Sequence, residues 1–525
     1  MTAQKPGAVG QAALTEGVLD PEDVRRATEL LQAICDDRGR LASVPLEARQ
    51  ALLVAAGRAS RPESFQEKRL VKALRKARRR RDEGADREAR ATTGIRSARE
   101  GVFVAPARAL PGGADEAPPR TLKKPKTCYV CKEDFTVLHH FYDALCPPCA
   151  ALNYEKRFQT ASLEGRVGLV TGARVKIGFQ IALKMLRAGA RVIATTRFPH
   201  DAAARYAREA DFADWKDRLH VHGLDLRHSP SVEIFARYVE HAYDRLDVIV
   251  NNACQTVRRP PAFYADLLPG ETQPVADLSP EVAGLLASHQ ALARALEADH
   301  ALAAGAPVDG TGLTAWHGGR GGVGITSAPE LSQVRYAYDD ETRRSDLFPT
   351  GRLDADLQQV DLRAQNTWRL ALAEVPTAEM LEVQLVNAVA PFILCARLKA
   401  LMLRHPTGDK HIVNVSAMEG IFSRGTKTDK HPHTNMAKAA LNMMTLTAAR
   451  DYVQSGIHMN AVDTGWVTDE DPALHADRKR TELDFQPPLD IVDGAARVCD
   501  PFFSGLLTGV HVSGKFLKDY KPSSW

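Results

Sequence analysis

The sequence lacks several features that would define a secreted or membrane protein. No apolar run approaches the roughly 18–20 residues that a membrane-spanning helix needs, and residues 1–11 lack the apolar centre of a secretory signal. Only eight of the 525 residues are cysteine, too few for a disulfide-rich scaffold of this length. We therefore expect a cytoplasmic protein without a membrane contact.

Composition and charge are ordinary overall but uneven along the chain. Hydrophobic residues make up 44% and charged residues 26%, which excludes a wholly disordered or fibrous chain. At roughly 100–200 residues per domain, the length predicts two to four domains. The net charge of +4 conceals a basic segment, because residues 61–127 hold 19 Lys and Arg against 9 Asp and Glu. The run RKARRRR at 75–81 is by default the solvated end of a helix, and a contact with nucleic acid or another polyanion is the alternative.

The first 81 residues predict a small helical unit. Residues 1–18 show no periodicity and predict a loose tail. A first helix is predicted to begin after Asp20, with Pro21 at its first position. A second helix covers about 45–56 and ends at Gly57, where a glycine favours termination. Ser60 and Glu63 then have the spacing of a capping box and predict the start of a third helix.

Four of the cysteines form two CxxC pairs that follow a predicted basic linker at 82–127. They are Cys128, Cys131, Cys146 and Cys149. Two such pairs supply four thiolates for a tetrahedral zinc ion, so residues 128–164 are interpreted as a zinc-binding module. A pair of redox dithiols is the alternative, and His139 and His140 are either spare ligands or packing residues. Because only 15 residues separate Cys149 from Gly165, we expect the module to dock against the domain that follows.

From residue 165 to 525, short runs rich in Val and Ile alternate with helical patterns. The predicted strands are 166–171, 191–196, 219–225, 246–253, 411–416, 457–462 and 509–513, and the predicted helices lie at about 177–188, 229–243, 377–404, 436–454 and 491–506. This alternation predicts an α/β domain with a doubly wound parallel sheet, a Rossmann fold of about seven strands. The region 255–375 is too long for a connecting loop and is interpreted as an inserted subdomain or lid.

A glycine-rich turn, VTGARVKIG at 170–178, follows the first of these strands and opens a helix. Its glycines would bring backbone N–H groups close to a pyrophosphate at the positive end of the helix. Alone, the turn fits equally well a βα connection that needs glycine for its geometry. Together with the motifs that follow it in order, it makes the chain from about residue 165 resemble the short-chain dehydrogenase/reductase family.

The resemblance implies a set of site residues. The matched cofactor-binding positions are Gly172, Arg174, Lys176, Ile177 and Gly178 in the turn, Asp225 after the third strand, Asn251 and Ala253 in the family's NNAG motif, Lys438, and Thr464, Gly465 and Val467 after the sixth strand. The resemblance also implies that Ser416 bonds the carbonyl oxygen of a substrate, Lys438 holds the nicotinamide ribose and Asn387 supports a water relay. A homo-oligomer and a small-molecule alcohol or carbonyl substrate are expected on the same ground.

Two cofactor positions depart from the family pattern. Lys176 replaces the middle glycine and adds a cation beside the phosphates, and Cys254 replaces the last glycine of NNAG, where a lone cysteine is usually a small hydrophobe.

The second strand ends in ATTR, without the acidic residue that pairs with a ribose diol. Arg197 is placed to meet a 2′-phosphate, which predicts NADP(H) over NAD(H); the alternative is that Arg197 simply faces solvent.

The third departure is at the acid/base position. Thr434 stands where the YxxxK motif has tyrosine, and no tyrosine lies between Ser416 and Lys438. An aliphatic hydroxyl cannot replace a phenol near neutral pH. His433 is the best substitute because imidazole titrates near neutrality, although neighbouring residues on a helix point about 100° apart. The alternatives are a water held by Ser416 and Asn387 or a residue from the 255–375 insertion.

The sequence therefore predicts an NADP(H)-dependent short-chain oxidoreductase with an atypical catalytic centre and an N-terminal zinc-binding extension. A non-catalytic NAD(P)-binding sensor or scaffold is the alternative, since the tyrosine is missing. A third interpretation is nucleic-acid or polyanion binding through the zinc module and the basic arm.

Overall fold

The computed structural model describes residues 19–99, 120–303, 322–335, 346–354 and 357–525. The chain divides into two compact units, residues 1–82 and residues 83–525. The predicted tail at 1–18 and residues 100–119 of the predicted linker lie outside the described residues.

The first unit is helical and buries little apolar surface. Its helices are α1 (Pro21–Asp36), α2 (Leu46–Ser60) and α3 (Ser64–Ala91), the last of which begins in this unit. The side chain of Asp20 accepts a hydrogen bond from Glu22 N (2.9 Å) and caps α1. Of the hydrophobic residues described in this unit, Ile34 and Leu41 are buried. The basic run at 75–81 lies on α3 and is exposed.

The boundary between α2 and α3 differs from the sequence expectation. Helix α2 continues through Gly57 to Ser60, whose hydroxyl donates to Gly57 O (3.1 Å) instead of capping the next helix. Helix α3 starts at Ser64 and continues into the predicted linker as far as Ala91. A glycine inside a helix costs only about 1 kcal/mol, so Gly57 does not end α2.

The second unit begins with the region that carries the CxxC pairs. Its elements are α4 (Gly94–Ser97), β1 (Thr121–Thr127), β2 (Asp134–Val137) and α5 (Pro147–Phe158). Strands β1 and β2 pair antiparallel as a small hairpin. The first strand thus starts inside the predicted linker, seven residues before Cys128.

A single sheet forms the centre of the second unit. Its strands are β3 (Val167–Thr171), β4 (Arg191–Thr196), β5 (Leu219–Gly223), β6 (Val248–Asn251), β7 (Lys410–Ser416), β8 (Ile457–Asp463), β9 (Phe516–Lys518) and β10 (Lys521–Ser523). Their order is β5-β4-β3-β6-β7-β8-β9-β10, and all neighbours are parallel except β9 and β10. The predicted doubly wound Rossmann fold is confirmed.

Helices cover both faces of this sheet. The α-helices of this part of the chain are α6 (Lys176–Arg187), α7 (Pro199–Ala207), α8 (Phe212–Trp215), α9 (Ser229–Ala242), α10 (Leu268–Glu271), α11 (Pro280–Ala303), α12 (Val323–Thr326), α13 (Thr377–Gln384), α14 (Ala390–Leu403), α15 (Pro432–Tyr452), α16 (Ala473–Leu483) and α17 (Ile491–Thr508), and not all of them contact the sheet. One apolar core joins the sheet to α6, α7 and α17, and a second core joins the other face to α9, α14 and α15. Both faces of the strands are therefore buried, as their continuous Val and Ile runs indicate.

The predicted last strand at 509–513 is wrong. Helix α17 continues to Thr508, and Gly509 ends it with a left-handed φ of 70°. Val510 is exposed, and the seventh parallel strand forms at Phe516–Lys518 instead. A brief Val alternation beside a helix terminus gave a misleading strand signal.

The region 255–375 packs on the sheet domain where it is described. Helix α11 lies against α7 and the edge strand β5, and its Leu285 and Leu286 enter the core. A covered edge strand cannot pair with another chain. His289 on α11 also accepts a hydrogen bond from Gly223 N (3.3 Å).

One helical segment in the described chain is long and apolar enough to cross a membrane by composition alone. It is Thr377–Leu403, with a mean hydropathy of 1.6, and half of it is buried inside the protein. Within it, α14 packs against α9 and β7, which is the position of a core helix.

Candidate active site

A cleft of about 1010 Å³ opens at the carboxyl ends of β3 and β6. The strand order reverses between these two strands, since β4 follows β3 on one side and β6 lies on the other. Such a switch point is where doubly wound sheets bind ligands. The volume suits a ligand the size of a dinucleotide.

The turn after β3 forms the floor of the cleft. Gly172 has a left-handed φ of 67°, and a Cβ at Gly178 would lie 2.2 Å from the Gly172 carbonyl oxygen. Both positions therefore require glycine. Arg174 and Ile177 also line the cleft, and α6 begins within the turn, with its positive end toward the cavity. This backbone fits a pyrophosphate.

Lys176 has a backbone conformation that favours glycine. Its φ is 54°, a left-handed value that costs a non-glycine residue roughly 1–2 kcal/mol. The residue lines the cleft, so it adds a cation to the turn.

The far end of the cleft carries Arg197 and Asp225. Arg197 donates to Tyr264 Oη (2.7 Å) and lies over the Tyr264 ring at 4.8 Å, and it forms no salt bridge within the described residues. Asp225 is fully buried and paired with Arg227 (2.6 Å). Burial opposes ionisation of this carboxyl, but the Arg227 guanidinium outweighs it and lowers the pKa of Asp225.

The segment after β6 holds the turn in place. Asn252 Nδ2 donates to Thr171 O (3.0 Å), and Ala253 N donates to Thr171 Oγ1 (3.0 Å). Ala253 and Cys254 line the cleft. Asn251 does not line it, since its amide is buried and donates to Asn414 Oδ1 (2.8 Å).

Ser416 and Lys438 meet in the same cleft from different elements. Ser416 ends β7, and Lys438 lies on α15, where its Nζ donates to Val415 O (2.7 Å). Ser416 Oγ donates to Asn442 Oδ1 (2.5 Å), one helical turn beyond Lys438. The hydroxyl and the ammonium are thus fixed by hydrogen bonds beside the glycine turn.

Thr434 and His433 lie outside the lining of this cleft. Thr434 is buried, and its Oγ1 has no hydrogen-bond partner among the described residues. His433 is also buried, with its Nε2 3.6 Å from Glu379 Oε1 on α13. His433 therefore faces α13 and not the cleft, so the geometry does not favour it as the proton donor.

His431 lines the cleft instead, together with Asn435 and Lys438 on the same face of α15. It precedes α15 with a left-handed φ of 42°, and its ring stacks on Trp368 at 3.8 Å. Its Nδ1 is buried and has no hydrogen-bond partner in the described structure. Burial lowers the pKa of His431 below its usual value.

Asn387 lies behind the cleft and not on its lining. It occupies a π-helical turn, Leu385–Val389, between α13 and α14. Its Oδ1 accepts from Gln255 N (2.8 Å), and its Nδ2 donates to Gln255 O (3.2 Å). The side chain therefore fixes the backbone that follows β6.

The loop after β8 closes the remaining side of the cleft. Thr464, Gly465 and Val467 line it, and Gly465 has a left-handed φ of 75°. Trp466 N donates to Tyr129 Oη (2.9 Å), so a residue from the first CxxC pair reaches this loop.

Family models match both halves of the domain. Residues 166–279 match the model described as short chain dehydrogenase, and residues 351–485 match the one described as Enoyl-(Acyl carrier protein) reductase. The segment between the two matches contains α11. The chain belongs to the short-chain dehydrogenase/reductase family.

Relatives differ in how much of this chain they cover. The uncharacterized protein R665 of Acanthamoeba polyphaga mimivirus is 30% identical over 390 residues, 72% of this chain and 71% of that protein. Dehydrogenase/reductase SDR family member 13 of Bos taurus is 34% identical over 24% of this chain. (+)-Neomenthol dehydrogenase of Arabidopsis thaliana is 33% identical over 17% of it. This chain spans only 32% and 30% of the length of those two enzymes.

Solved structures align with the same region of the chain. A dehydrogenase/reductase from Sinorhizobium meliloti has 18% identity and a TM-score of 0.40, covering 70% of this chain and 97% of that one. A short chain dehydrogenase from Burkholderia cenocepacia in complex with NADP has 18% identity and a TM-score of 0.39, covering 68% and 96%.

The four CxxC cysteines come together beside the short-chain dehydrogenase/reductase domain. Their sulfur atoms lie within 4.8 Å of one another, and Cys131 Sγ is 3.5 Å from Cys146 Sγ. These thiols are free, and a disulfide would need about 2.05 Å. With zinc–sulfur bonds of about 2.3 Å, tetrahedral geometry places sulfurs about 3.8 Å apart, so the cluster fits zinc. His139 and His140 instead pack around Tyr154.

The cysteine module docks against the sheet domain, as the short connection predicts. Arg157 on α5 bonds Asp490 (2.6 Å) and Asp493 (2.9 Å) at the start of α17. Tyr142 Oη donates to Asp493 Oδ1 (2.5 Å). The apolar core of the module includes Val467 of the cleft loop.

Sequence reasoning missed three residues of the site. Asn442 lies four residues after Lys438, and that helical spacing could have indicated a partner for Ser416. His431 lies seven residues before Lys438, and that helical spacing could have favoured it over His433. Tyr129 carried no signal, since nothing in a CxxC spacing tells what its middle residues contact.

Proposed function

We propose that the chain is an NADP(H)-dependent oxidoreductase acting on an alcohol or carbonyl substrate. The observation that carries this proposal is the meeting of Ser416 and Lys438 with the Gly172–Gly178 turn in one cleft. The bound nicotinamide would supply or accept the hydride. A non-catalytic sensor would have no need for a hydroxyl and an ammonium held together at that point.

The fixed side chains suggest how a carbonyl would be polarised. Ser416 would turn its single O–H from Asn442 Oδ1 to the carbonyl oxygen when substrate binds. Lys438 would hold the ribose hydroxyls and favour the charged state of the developing alkoxide. Asn387 would act as a positioning residue for the backbone after β6, and not by contact with substrate.

His431 is the group that we propose moves the proton. It is the imidazole that lines the cleft beside Lys438, and Trp368 restricts its orientation by stacking. Its left-handed backbone is a strained conformation of the kind that clusters at functional sites. Reduction requires the imidazolium as acid, and burial lowers the pKa of His431. Carbonyl reduction should therefore fall as pH rises through a pKa below 6.5, and alcohol oxidation should rise over the same range.

The test is NADPH oxidation with a panel of carbonyl compounds, using the parent, His431→Ala and His433→Ala proteins. His433→Ala is the matched control, because that imidazole faces Glu379. We expect His431→Ala to lower kcat by about 10²–10⁴-fold, the usual contribution of a general acid. The His433→Ala protein should keep most of its activity.

Two results would contradict parts of this proposal. Equal activity of the parent and His431→Ala proteins would assign proton transfer to water or to another residue. Tight NADPH binding by all three proteins with no turnover on any substrate would favour the sensor or scaffold.

We also propose that Cys128, Cys131, Cys146 and Cys149 hold a structural zinc ion. The convergence of their sulfur atoms supports this, and a tetrahedral site filled by four thiolates leaves no position for a substrate. One zinc per chain is expected by elemental analysis, with loss in Cys131→Ser. Less than stoichiometric metal that is unchanged in this variant would refute the site.

A cytoplasmic location fits the chemistry of the cysteines. All eight are free thiols in the structure, as expected in a reducing compartment. Homo-oligomerisation and polyanion binding at 75–81 stay predictions, and retention on heparin that falls with salt would support the latter.

A further inference from the structure

The first CxxC pair contributes side chains to the catalytic cleft as well as metal ligands. Tyr129 lies between Cys128 and Cys131, and Lys132 follows Cys131 directly. Both Tyr129 and Lys132 line the cleft. Lys132 has a left-handed φ of 68°, and its Nζ donates to Tyr129 O (2.5 Å). The turn that would wrap a metal ion therefore also forms part of the cleft wall.

Tyr129 holds the loop that closes the cleft after β8. Its Oη accepts a hydrogen bond from Trp466 N (2.9 Å). A Cβ at Gly465 would lie 3.3 Å from the same Oη, so the phenol sits directly against the loop. Lys518 Nζ lies 5.9 Å from the centre of the Tyr129 ring and bonds Asp463 (3.0 Å) at the end of β8. The phenol thus joins the CxxC turn to the residues that precede and form the loop.

The position of Tyr129 depends on the cysteine cluster. Its backbone N donates to Ala144 O (2.9 Å), just before the second CxxC pair. Cys146 N donates to Cys128 Sγ (3.3 Å), so the two turns contact each other through the ligands themselves. A bound metal ion would join the two turns through its four bonds to sulfur, and its loss would remove these bonds and let the turns separate. Loss of the metal would therefore release Tyr129 from the loop.

We propose that the four-cysteine metal site positions the 464–467 loop through Tyr129, so that metal occupancy controls the affinity of the cleft for its dinucleotide. Tyr129 is a positioning residue in this scheme. The inference rests on the proposed zinc site and the proposed NADP(H) cofactor, and it adds that the two sites are coupled.

The experiment compares the parent protein, the chelator-treated protein and two single variants. Tyr129→Phe removes the hydrogen-bond acceptor and keeps all four cysteines and the ring. Tyr238→Phe is the control, since its hydroxyl also bonds the backbone, by donating to Ser288 O (3.3 Å), but the residue lies on α9 outside the cleft lining. Zinc content, thermal stability, NADPH affinity by calorimetry and hydrogen exchange are measured for each.

We expect Tyr129→Phe to retain zinc and thermal stability while its NADPH dissociation constant rises about two- to tenfold, the usual net effect of one lost hydrogen bond. Its KM for NADPH should rise with little change in kcat. The Trp466 amide should exchange faster by a similar factor. Chelation should raise the NADPH dissociation constant and the exchange rate of the Trp466 amide further, and returning zinc should reverse both effects. Tyr238→Phe should match the parent.

Two outcomes overturn the inference. One is a parent protein without bound metal. The other is unchanged exchange at 464–467 in both the chelated and the Tyr129→Phe proteins. If exchange responds as expected but no protein binds NADPH, the positioning of the loop stands and the proposed cofactor is wrong. If chelation unfolds the module, the result for Tyr129→Phe decides alone.

Discussion

Arg197 should decide which dinucleotide the cleft prefers, and Arg197→Ala tests this. The residue directly follows β4, where the family places the group that contacts the 2′ position of the adenosine ribose. Its guanidinium is held by Tyr264, through a hydrogen bond of 2.7 Å and a ring contact at 4.8 Å. It forms no salt bridge in the part of the chain that the structure describes. By contrast, Arg174 is paired with Asp201 at 2.7 Å.

The magnitude follows from this difference. A hydrogen bond to a charged group contributes about 1.5–3 kcal/mol, which is about 10- to 100-fold in affinity. Among the described residues no carboxylate forms a salt bridge with Arg197, so most of this contribution should appear in NADPH binding. The 2′-hydroxyl of NADH offers no such charge, so its affinity should change little in Arg197→Ala.

The assay is calorimetric titration of NADPH and NADH into the parent and Arg197→Ala proteins at fixed, low ionic strength, because salt screens the interaction. Arg397→Ala is the control, since Arg397 is an exposed arginine on α14 that pairs with Glu233. Equal affinity of the parent for both dinucleotides would refute the reasoning. An equal loss of affinity for NADPH and NADH in Arg197→Ala would show that the arginine supports the fold of the cleft and does not bind the 2′-phosphate.

Three further predictions follow from contacts in the second unit. Thr434→Tyr should lower the free energy of unfolding, measured in urea, by about 1–3 kcal/mol, because the larger side chain must fit a buried site. It should leave turnover unchanged, because position 434 lies outside the cleft lining; higher turnover would show that α15 presents this position to substrate. Gly178→Ala should abolish NADPH binding in the same titration, since its Cβ would meet Gly172 O at 2.2 Å; retained binding would contradict the geometry. Burial opposes ionisation of Asp409, but two hydrogen bonds from Arg166 outweigh it and lower the pKa of Asp409 to about 2. A lowered carboxyl pKa stabilises the fold above about pH 4, so Asp409→Asn should cost about 1–2 kcal/mol at pH 7 and progressively less toward pH 2; a cost independent of pH would exclude the ion pair as its cause.

The fold could be predicted because its signals are local and repeated. Each parallel strand is buried on both faces, so each reads as a short Val- and Ile-rich run between helical patterns. The run at 509–513 failed for a local reason, since α17 continues to Thr508 and leaves Val510 exposed. The place of α11 on the edge strand β5 could not be predicted, because helical periodicity tells which face is apolar but not what covers it.

Motif spacing could predict the residues of the cleft whose position the backbone fixes. Gly172, Gly178, Ser416 and Lys438 all line it, since each sits at a strand end or on a helix whose register the fold sets. Helical spacing from Lys438 favours His431, seven residues earlier, over His433, five residues earlier. It could not show that His431, which precedes α15 and has a left-handed backbone, still reaches the cleft.

The loss of the family tyrosine and the docking of the cysteine module occur around the same cleft, and the contacts connect them. In the proposed mechanism, the His431 imidazole, held against Trp368, takes the role of the phenol that the family has one turn before the lysine. In the same cleft, Tyr129 holds the loop after β8. A general acid acts only when substrate and cofactor are well aligned, so a rigid cleft wall should increase the rate, because misplacement of reacting atoms by about 1 Å can cost about 10²-fold in rate.

The double variant His431→Ala with Tyr129→Phe tests this connection. If alignment serves proton transfer, the two effects on kcat/KM should not add, and the Tyr129 effect should shrink once the imidazole is gone. Additive effects would show that the wall serves cofactor affinity alone.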